Sequence, residues 1–465
     1  MRKAVDSVCI VSLGCSKNQV DSEVMSASLL REGFRFVSDP EDADVILLNT
    51  CSFIQEAVEE SLTVLDALGR YREQGNCRCL VLAGCLVERY GRRLKKQLPY
   101  VDLFMGVKAG PRVGRILARR LRGDLPQSFL LRPPPDPGAS VWNPGHHREA
   151  LGVWAYVKIA EGCSNRCSYC TIPGIRGPLR SRSVEDIRRE AVRLAENGVQ
   201  EINLVAQDVA AYGRERKGPG RLPLLLETLH RVEGVRWIRL LYCHPSHVDQ
   251  ALVDTLGELE KVCPYLDLPV QHVSKPVLTR MNRAYDIRRL RALIRNLRSA
   301  RPDLALRTTL MVGFPGETER DVERLLRFLE EVRFHHVGVF PYSPEPETAG
   351  RCGRETVPPA HKQDRLRAVM ELQAGISAST HATYVGSVQT VLVEGDHRED
   401  PALLQARTRY QAPEVDGIVA IRKHPSIAPG LATVRIVRSS TYDLYGKPCA
   451  EPSPHTPRSP RRTLP

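Results

Sequence analysis

No stretch of about 18 consecutive apolar residues occurs in this chain, which excludes a conventional membrane-spanning helix. The first ten residues carry Asp6 and lack a long apolar run, so no secretory leader is expected. No pair of side chains stands out as an acid–base or nucleophile–base dyad. Thirteen cysteines in 465 residues are no secreted disulfide scaffold; in a reducing compartment they read as ligands or free thiols. What the chain has in excess is cation. Its formal charge of +13 fits an RNA partner or simply a solvated arginine-rich surface. At 42% hydrophobic it can bury the cores of roughly two to four domains, and a monomer in the cytoplasm is expected.

The most informative run is Cys163-Ser-Asn-Arg-Cys167-Ser-Tyr-Cys170. Closely spaced soft thiolates suit iron–sulfur iron, zinc or copper. A structural zinc site needs four ligands, and no Cys or His follows at finger spacing, since the next residues read Thr-Ile-Pro-Gly-Ile-Arg-Gly. Three ligands on a tetranuclear cluster leave one iron open to chelate a substrate or cofactor. The alternatives are a zinc site short of a ligand, or three unrelated cysteines.

Residues 1–105 alternate apolar runs with helical patterns. Strands are expected over 8–13, 45–49, 79–83 and 101–105, and helices over 22–31, 53–71 and 87–98. Such alternation argues for a parallel α/β sheet. Cys15, Cys51 and Cys85 each follow the carboxyl end of a strand. In an open parallel sheet these ends share one edge, the usual binding crevice, so the three thiolates are a second candidate set. Three buried structural cysteines are the alternative.

Residues 106–149 read as a linker. The stretch 108–132 holds seven Lys/Arg against one acid, with a short basic helix over 113–121, and Arg132-Pro-Pro-Pro-Asp-Pro-Gly then breaks regular structure. It serves either as a phosphate contact or as a solvated hinge. Over 150–376, strands are expected at 155–160, 201–205, 237–241, 265–268, 305–312 and 337–340, with helices at 184–196, 224–230, 249–256, 285–300 and 319–331. Six strands with crossovers suit an incomplete (β/α)6 barrel with its site at the carboxyl ends of the strands. There lie the Cys163 loop, Gln207-Asp208, the Gln271-His272 loop and the turn Gly313-Phe-Pro-Gly316-Glu317-Thr318. Strand-like runs at 388–394, 418–421 and 432–439 indicate a small antiparallel β-barrel over 378–446. From His381 to Gly446 seven Lys/Arg balance seven Asp/Glu, which weighs against RNA binding by that module. Residues 447–465, rich in Pro, Ser and Arg, form an expected disordered tail. Cys243, Cys263, Cys352 and Cys449 have no partners at ligand spacing.

With Tyr169 just before its third Cys, the central run resembles the signature of the radical S-adenosylmethionine (SAM) enzymes. Val11-Ser-Leu-Gly-Cys15-Ser-Lys-Asn18-Gln-Val-Asp21-Ser-Glu23, Asn49-Thr50-Cys51-Ser-Phe-Ile54 and Ala83-Gly84-Cys85-Leu-Val-Glu-Arg89-Tyr90 resemble the three Cys motifs of the methylthiotransferase family within that group. The resemblance implies two [4Fe–4S] clusters, one on Cys163, Cys167 and Cys170 and an auxiliary one on Cys15, Cys51 and Cys85. It implies SAM as cofactor, with Tyr169, Gln207, Gln271 and Glu317 beside SAM or substrate, and a TRAM-like terminal barrel.

Arg407-Thr-Arg-Tyr-Gln411-Ala-Pro-Glu414-Val-Asp416-Gly417 and Ser440-Thr-Tyr442-Asp443-Leu444-Tyr-Gly446 resemble the branch that modifies an aspartate of ribosomal protein S12. Gln411 stands where that branch usually has Asp. Arg407, Glu414, Asp416 and Tyr442 are accordingly expected to recognise substrate. The implied activity is transfer of a methylthio group to the aspartate β-carbon, drawing on a sulfur donor and a cellular electron donor. The alternatives are the branch that modifies an adenosine of tRNA, and a non-catalytic RNA- or ribosome-binding iron–sulfur protein.

Overall fold

Two runs buried along their whole length form the centre of the first sheet, β3 (Val45–Thr50) and β4 (Cys79–Gly84). With β1 (Ser7–Ser12), β2 (Arg35–Phe36), β5 (Leu103–Met105) and β6 (Ser128–Leu130) they make a wholly parallel sheet in the order β2-β1-β3-β4-β5-β6. Continuous apolar strands are what a sheet covered by helices on both faces requires. The computed structural model describes residues 6–124, 128–130, 152–216, 220–348 and 357–449. The proline run 133–138, Cys352 and the tail from 450 lie outside them. No helix among the described residues is long and apolar enough to cross a membrane.

Helix boundaries differ from expectation where the cysteines intervene. The helix expected from 22 begins at Ser16, because the Cys15 carbonyl accepts from the amides of Asn18 and Gln19 and opens the first turn. The helix expected over 87–98 is two, Cys85–Tyr90 and Arg93–Gln97, broken at Gly91. The linker expected from 106 starts later. Helix Val113–Leu121 buries Val113 and Leu117 in the first domain's core, and β6 extends its sheet.

The second sheet runs β7 (Trp154–Lys158), β10 (Glu201–Val205), β11 (Trp237–Leu240), β12 (Val262–Asp267), β13 (Ala305–Val312) and β14 (His336–Pro341), all parallel and in sequence order. A two-stranded ribbon, β8 (Ala160–Glu161) with β9 (Arg180–Ser181), flanks the cysteine loop. Crossover helices close the outside. Glu319–Val332 starts on a Thr318/Asp321 capping box and buries Val322, Leu325, Phe328, Leu329 and Val332 at helical spacing. The sheet curls without pairing β14 to β7, which gives an incomplete (β/α)6 barrel.

A long helix, Pro359–Ala382, leads out of the barrel and runs through the boundary expected near 377. Beyond it β15 (Val388–Asp396), β16 (Leu403–Thr408), β17 (Val419–Arg422), β18 (Gly430–Ser439) and β19 (Leu444–Pro448) close a small barrel. Its seams are antiparallel except β17–β19, which is parallel.

The segment 407–416 of this module fills the amino-terminal mouth of the central barrel. Arg409 donates to the carbonyl of Val262 at the start of β12 (3.0 Å), Arg239 Nη1 to the carbonyl of Arg409 (2.8 Å), and His336 Nε2 lies 2.8 Å from the carbonyl of Tyr410. Tyr265 donates to Asp416 (2.8 Å) and Tyr156 to Glu414 (3.1 Å).

Candidate functional site

Cys15, Cys51 and Cys85 follow β1, β3 and β4, three adjacent strands whose carboxyl ends are level: Ser12 pairs with Asn49, and Thr50 with Gly84. Gly14 and Gly84, with φ of +92° and +97°, make the sharp exits. A Cβ on Gly14 would meet the Cys51 Cβ at 2.7 Å, and one on Gly84 the Asn49 Oδ1 at 2.5 Å, so only glycine lets the strand ends approach. Asn18 laces them together, donating to the carbonyls of Leu13 (2.8 Å) and Thr50 (2.9 Å). Asn49 donates to Asn18 O (3.0 Å) and Ser22 Oγ (2.8 Å).

The thiols differ in environment. Crowding by protein works against the Cys15 thiolate, but Lys17, Arg176 and local backbone amides outweigh it and hold this thiol below its ordinary value. Burial raises Cys51, and it pushes Cys85 up to about 12 although Arg176 opposes it. A metal able to take three thiolates would displace those protons. The donor set therefore fits a cluster with one open position.

Cys163, Cys167 and Cys170 line a cavity of about 650 Å³ at the carboxyl end of β7, with Asn165 and Asn282 among its walls and no fourth Cys or His. Burial raises Cys163 and pushes Cys170 up to about 12. The loop is held from three sides. Asn165 donates to Asp208 (2.9 Å), which also accepts from the His244 amide (3.2 Å) and has His247 Nδ1 at 2.6 Å. Ser168 donates to the Arg280 carbonyl (2.7 Å), and Asn282 to that of Arg166 (2.6 Å). Tyr169 is fixed by Arg283 and an edge contact with Phe314.

The chain next to each cysteine set meets that of the other across the seam between the first domain and the barrel. Thr171 reaches the Phe53 carbonyl (3.5 Å), two residues beyond Cys51. Arg176, six residues after Cys170, is buried in the seam and donates to Cys85 Sγ (3.2 Å), Asn18 (2.8 Å), Asp21 (2.9 Å) and Glu161 (3.0 Å). Lys158 is buried against the same two carboxylates. Sequence reading passed over Arg176, Lys158 and Glu161. The only signal was an arginine inside the otherwise apolar Ile-Pro-Gly-Ile-Arg.

Of the residues expected near SAM, Gln207 donates to Glu161 (3.1 Å) and leaves its buried Oε1 unpaired. Gln271, at φ +63°, prolongs the sheet beside β13 through its backbone. Glu317 is engaged within the protein. Its carboxylate accepts from the Gly313 amide and from Arg365 (2.7 Å) and lies 3.1 Å from His272 Nε2, so it holds the Gly313–Thr318 turn.

Two of the expected recognition residues are also corrected. Arg407 is 1% exposed and pairs with Glu201 and Glu394, and Asp416 is buried against Arg307, His336 and Tyr265. Both lie in the amino-terminal mouth, opposite the cysteines, where they join the terminal module to the central barrel. Glu414 is exposed at residue level but bonded to Tyr156, and Tyr442 is exposed.

Comparisons with known proteins agree with this layout. The profile of uncharacterized protein family UPF0004 matches residues 7–106, that of the radical SAM superfamily 157–329 and that of the TRAM domain 385–449. The chain is 43% identical to the ribosomal protein uS12 methylthiotransferase RimO of Syntrophus aciditrophicus (strain SB), over 96% of this chain and 99% of that protein. It is 42% identical to the protein of that name from Geobacter sulfurreducens, over the same shares. Among solved structures, the radical SAM methyltransferase TsrM of Kitasatospora setae, with cobalamin and a [4Fe–4S] cluster bound, superposes with a TM-score of 0.54 at 14% identity, over 73% of this chain and 74% of that one. At that identity the likeness is one of fold.

Proposed function

The chain belongs to the ribosomal protein uS12 methylthiotransferase family of radical SAM enzymes, and we propose that it acts at the seam between its two three-cysteine sets. Cys163, Cys167 and Cys170 hold one [4Fe–4S] cluster, and Cys15, Cys51 and Cys85 hold an auxiliary one. The acceptor is the β-carbon of an aspartate in ribosomal protein S12. The observation that carries this reading is the approach of two three-thiol sets, tied by Arg176 across one buried seam. Three thiolates per set leave an open position on each cluster, whereas a purely structural site closes its coordination.

Reductive cleavage of SAM to methionine and a 5′-deoxyadenosyl radical is the chemistry that a cluster on Cys163, Cys167 and Cys170 supplies when bound. The chain's own residues supply position and dryness. Asn165, Ser168 and Asn282 fix the cysteine loop, and Tyr169 is wedged between Arg283 and Phe314. The 407–416 segment seals the far mouth. Orientation and exclusion of water are what a reactive radical demands.

The test is anaerobic incubation of reconstituted protein with SAM, reductant, inorganic sulfide as sulfur source and either S12 or tRNA. The expected result is a gain of about 46 Da on an S12 aspartate, with methylthio replacing hydrogen, and formation of 5′-deoxyadenosine. A gain on tRNA adenosine with S12 unchanged would move the activity to the other branch. Intact clusters with no 5′-deoxyadenosine in the presence of substrate would favour a binding role.

A further inference from the structure

Among the described residues Lys17, Lys158 and Arg176 are buried at the seam, and the Arg89 side chain is buried there against Glu345. Lys158 and Arg176 both pair with Asp21 and Glu161. Lys17 has no such partner. Among the described residues no carboxylate lies in ion-pair contact with it, and the neighbours that act on it most strongly are Tyr242, Cys15 and Arg176. Its ammonium sits 3.3 Å above the centre of the Tyr242 ring. Asp267 feels its charge without touching it: Oδ2 accepts from the Tyr242 amide (3.0 Å), while the buried Oδ1 has no hydrogen-bond partner and Arg307 lies 3.8 Å away. A buried ammonium is costly without a carboxylate countercharge; the Tyr242 ring and hydroxyl and the Cys15 thiol offset part of that cost.

Tyr242 is itself under strain. It follows β11 with φ +62°, a conformation that a bulky residue rarely adopts, and strain of this kind clusters at ligand sites. That backbone, pinned by Asp267, sets the ring beneath Lys17, two residues from Cys15, with the Tyr242 hydroxyl 3.4 Å from Ser16 Oγ. The platform stands where the first domain meets the carboxyl ends of the barrel strands.

We propose that Lys17 is the binding site for the carboxylate of the substrate aspartate. This rests on the reading that an S12 aspartate is the acceptor. The carbon that receives sulfur is bonded directly to the carboxyl carbon, so the carboxylate lies within about 3 Å of the new bond. A cation beside the Cys15/Cys51/Cys85 set is thus where substrate charge must be met. Among the described residues Lys17 is the seam's one ammonium with no carboxylate in ion-pair contact.

The experiment measures binding of two synthetic peptides, spanning the modified loop of S12 with Asp or Asn at the acceptor position, to cluster-loaded protein. Wild type should bind the Asp peptide about tenfold or more tightly than the Asn peptide. Lys17→Met should bind both alike, and Lys17→Arg should keep part of the preference. SAM affinity should be the same in all three. Equal binding of the two peptides by wild type, an undiminished preference in Lys17→Met, or a loss confined to SAM affinity would each overturn the proposal. If Lys17→Met loses its clusters, Lys17→Gln and Lys17→Arg with counted iron carry the comparison. Failure of the underlying reading shows separately, as absence of methylthiolation of the Asp peptide by wild type.

Discussion

Arg176 Nη2 donates to Cys85 Sγ across 3.2 Å, so the chain just after one cysteine set touches a thiol of the other. Four acceptors share this one guanidinium, and none of them lies on its own helix, Ile172–Arg176.

A positive donor on a cluster thiolate favours the reduced state. Arg176→Met should therefore move the auxiliary cluster's midpoint potential to a more negative value. Arg176→Lys, which keeps charge but loses the planar fork, should move it less. EPR-monitored redox titration of protein lacking Cys163, Cys167 and Cys170 reads this directly; an unmoved potential would show that the contact is only structural.

Iron content separates the two sets. Reconstituted wild type should hold about eight iron per chain, and each cysteine triple variant to Ala about four. Colorimetric iron and sulfide assays decide. A Cys15/Cys51/Cys85 triple variant that keeps all its iron would remove the auxiliary cluster from the account.

Glu201 is fully buried between Arg239 and Arg407. Glu201→Gln leaves two buried guanidinium groups short of their countercharge and should cost about 3–5 kcal/mol. Thermal unfolding followed by circular dichroism should show a lowered first transition, and limited proteolysis should show earlier cleavage within helix Pro359–Ala382.

His335 is held at about 3, first by burial and then by His336 and Arg298. Because its folded value lies below the unfolded one, the unfolded chain binds more protons between those limits. Stability is therefore complete above about pH 6.5 and falls as pH drops toward 3. From pH 7.5 to 5.5 this histidine should cost about 1 kcal/mol, and His335→Gln should flatten that part of the pH–melting curve.

Apolar period made most of the architecture legible before any coordinates. The runs at 45–49 and 201–205, and the helical patterns at 184–196 and 319–331, lie where β3, β10 and two barrel helices are found. Helix Pro359–Ala382 escaped because its buried face includes Arg365, Gln373, Ser377 and His381, which blurs the apolar stripe. β16 and β19 were missed for a related reason: Gln405 and Arg407, or Gly446 and Pro448, interrupt them.

At the site, the cysteines and the Asn18 and Asn49 motifs could be read, while the charges between them could not. Asp21 meets Lys158 and Arg176 from far along the chain, and ion pairs of that separation leave no period in a sequence. Arg407 and Asp416 erred the other way. A charged motif reads as a recognition surface until burial shows it to be an internal joint.

The floor of the central barrel is laid by residues 407–416, some 250 positions after the first barrel strand begins at Trp154. During synthesis the cysteine-bearing roof emerges long before this floor, so the hollow stays open to water until the last module folds. The terminal barrel is the stopper of the vessel: a chain that ends at the long helix has every cysteine of both sets but lacks the segment that plugs the far mouth.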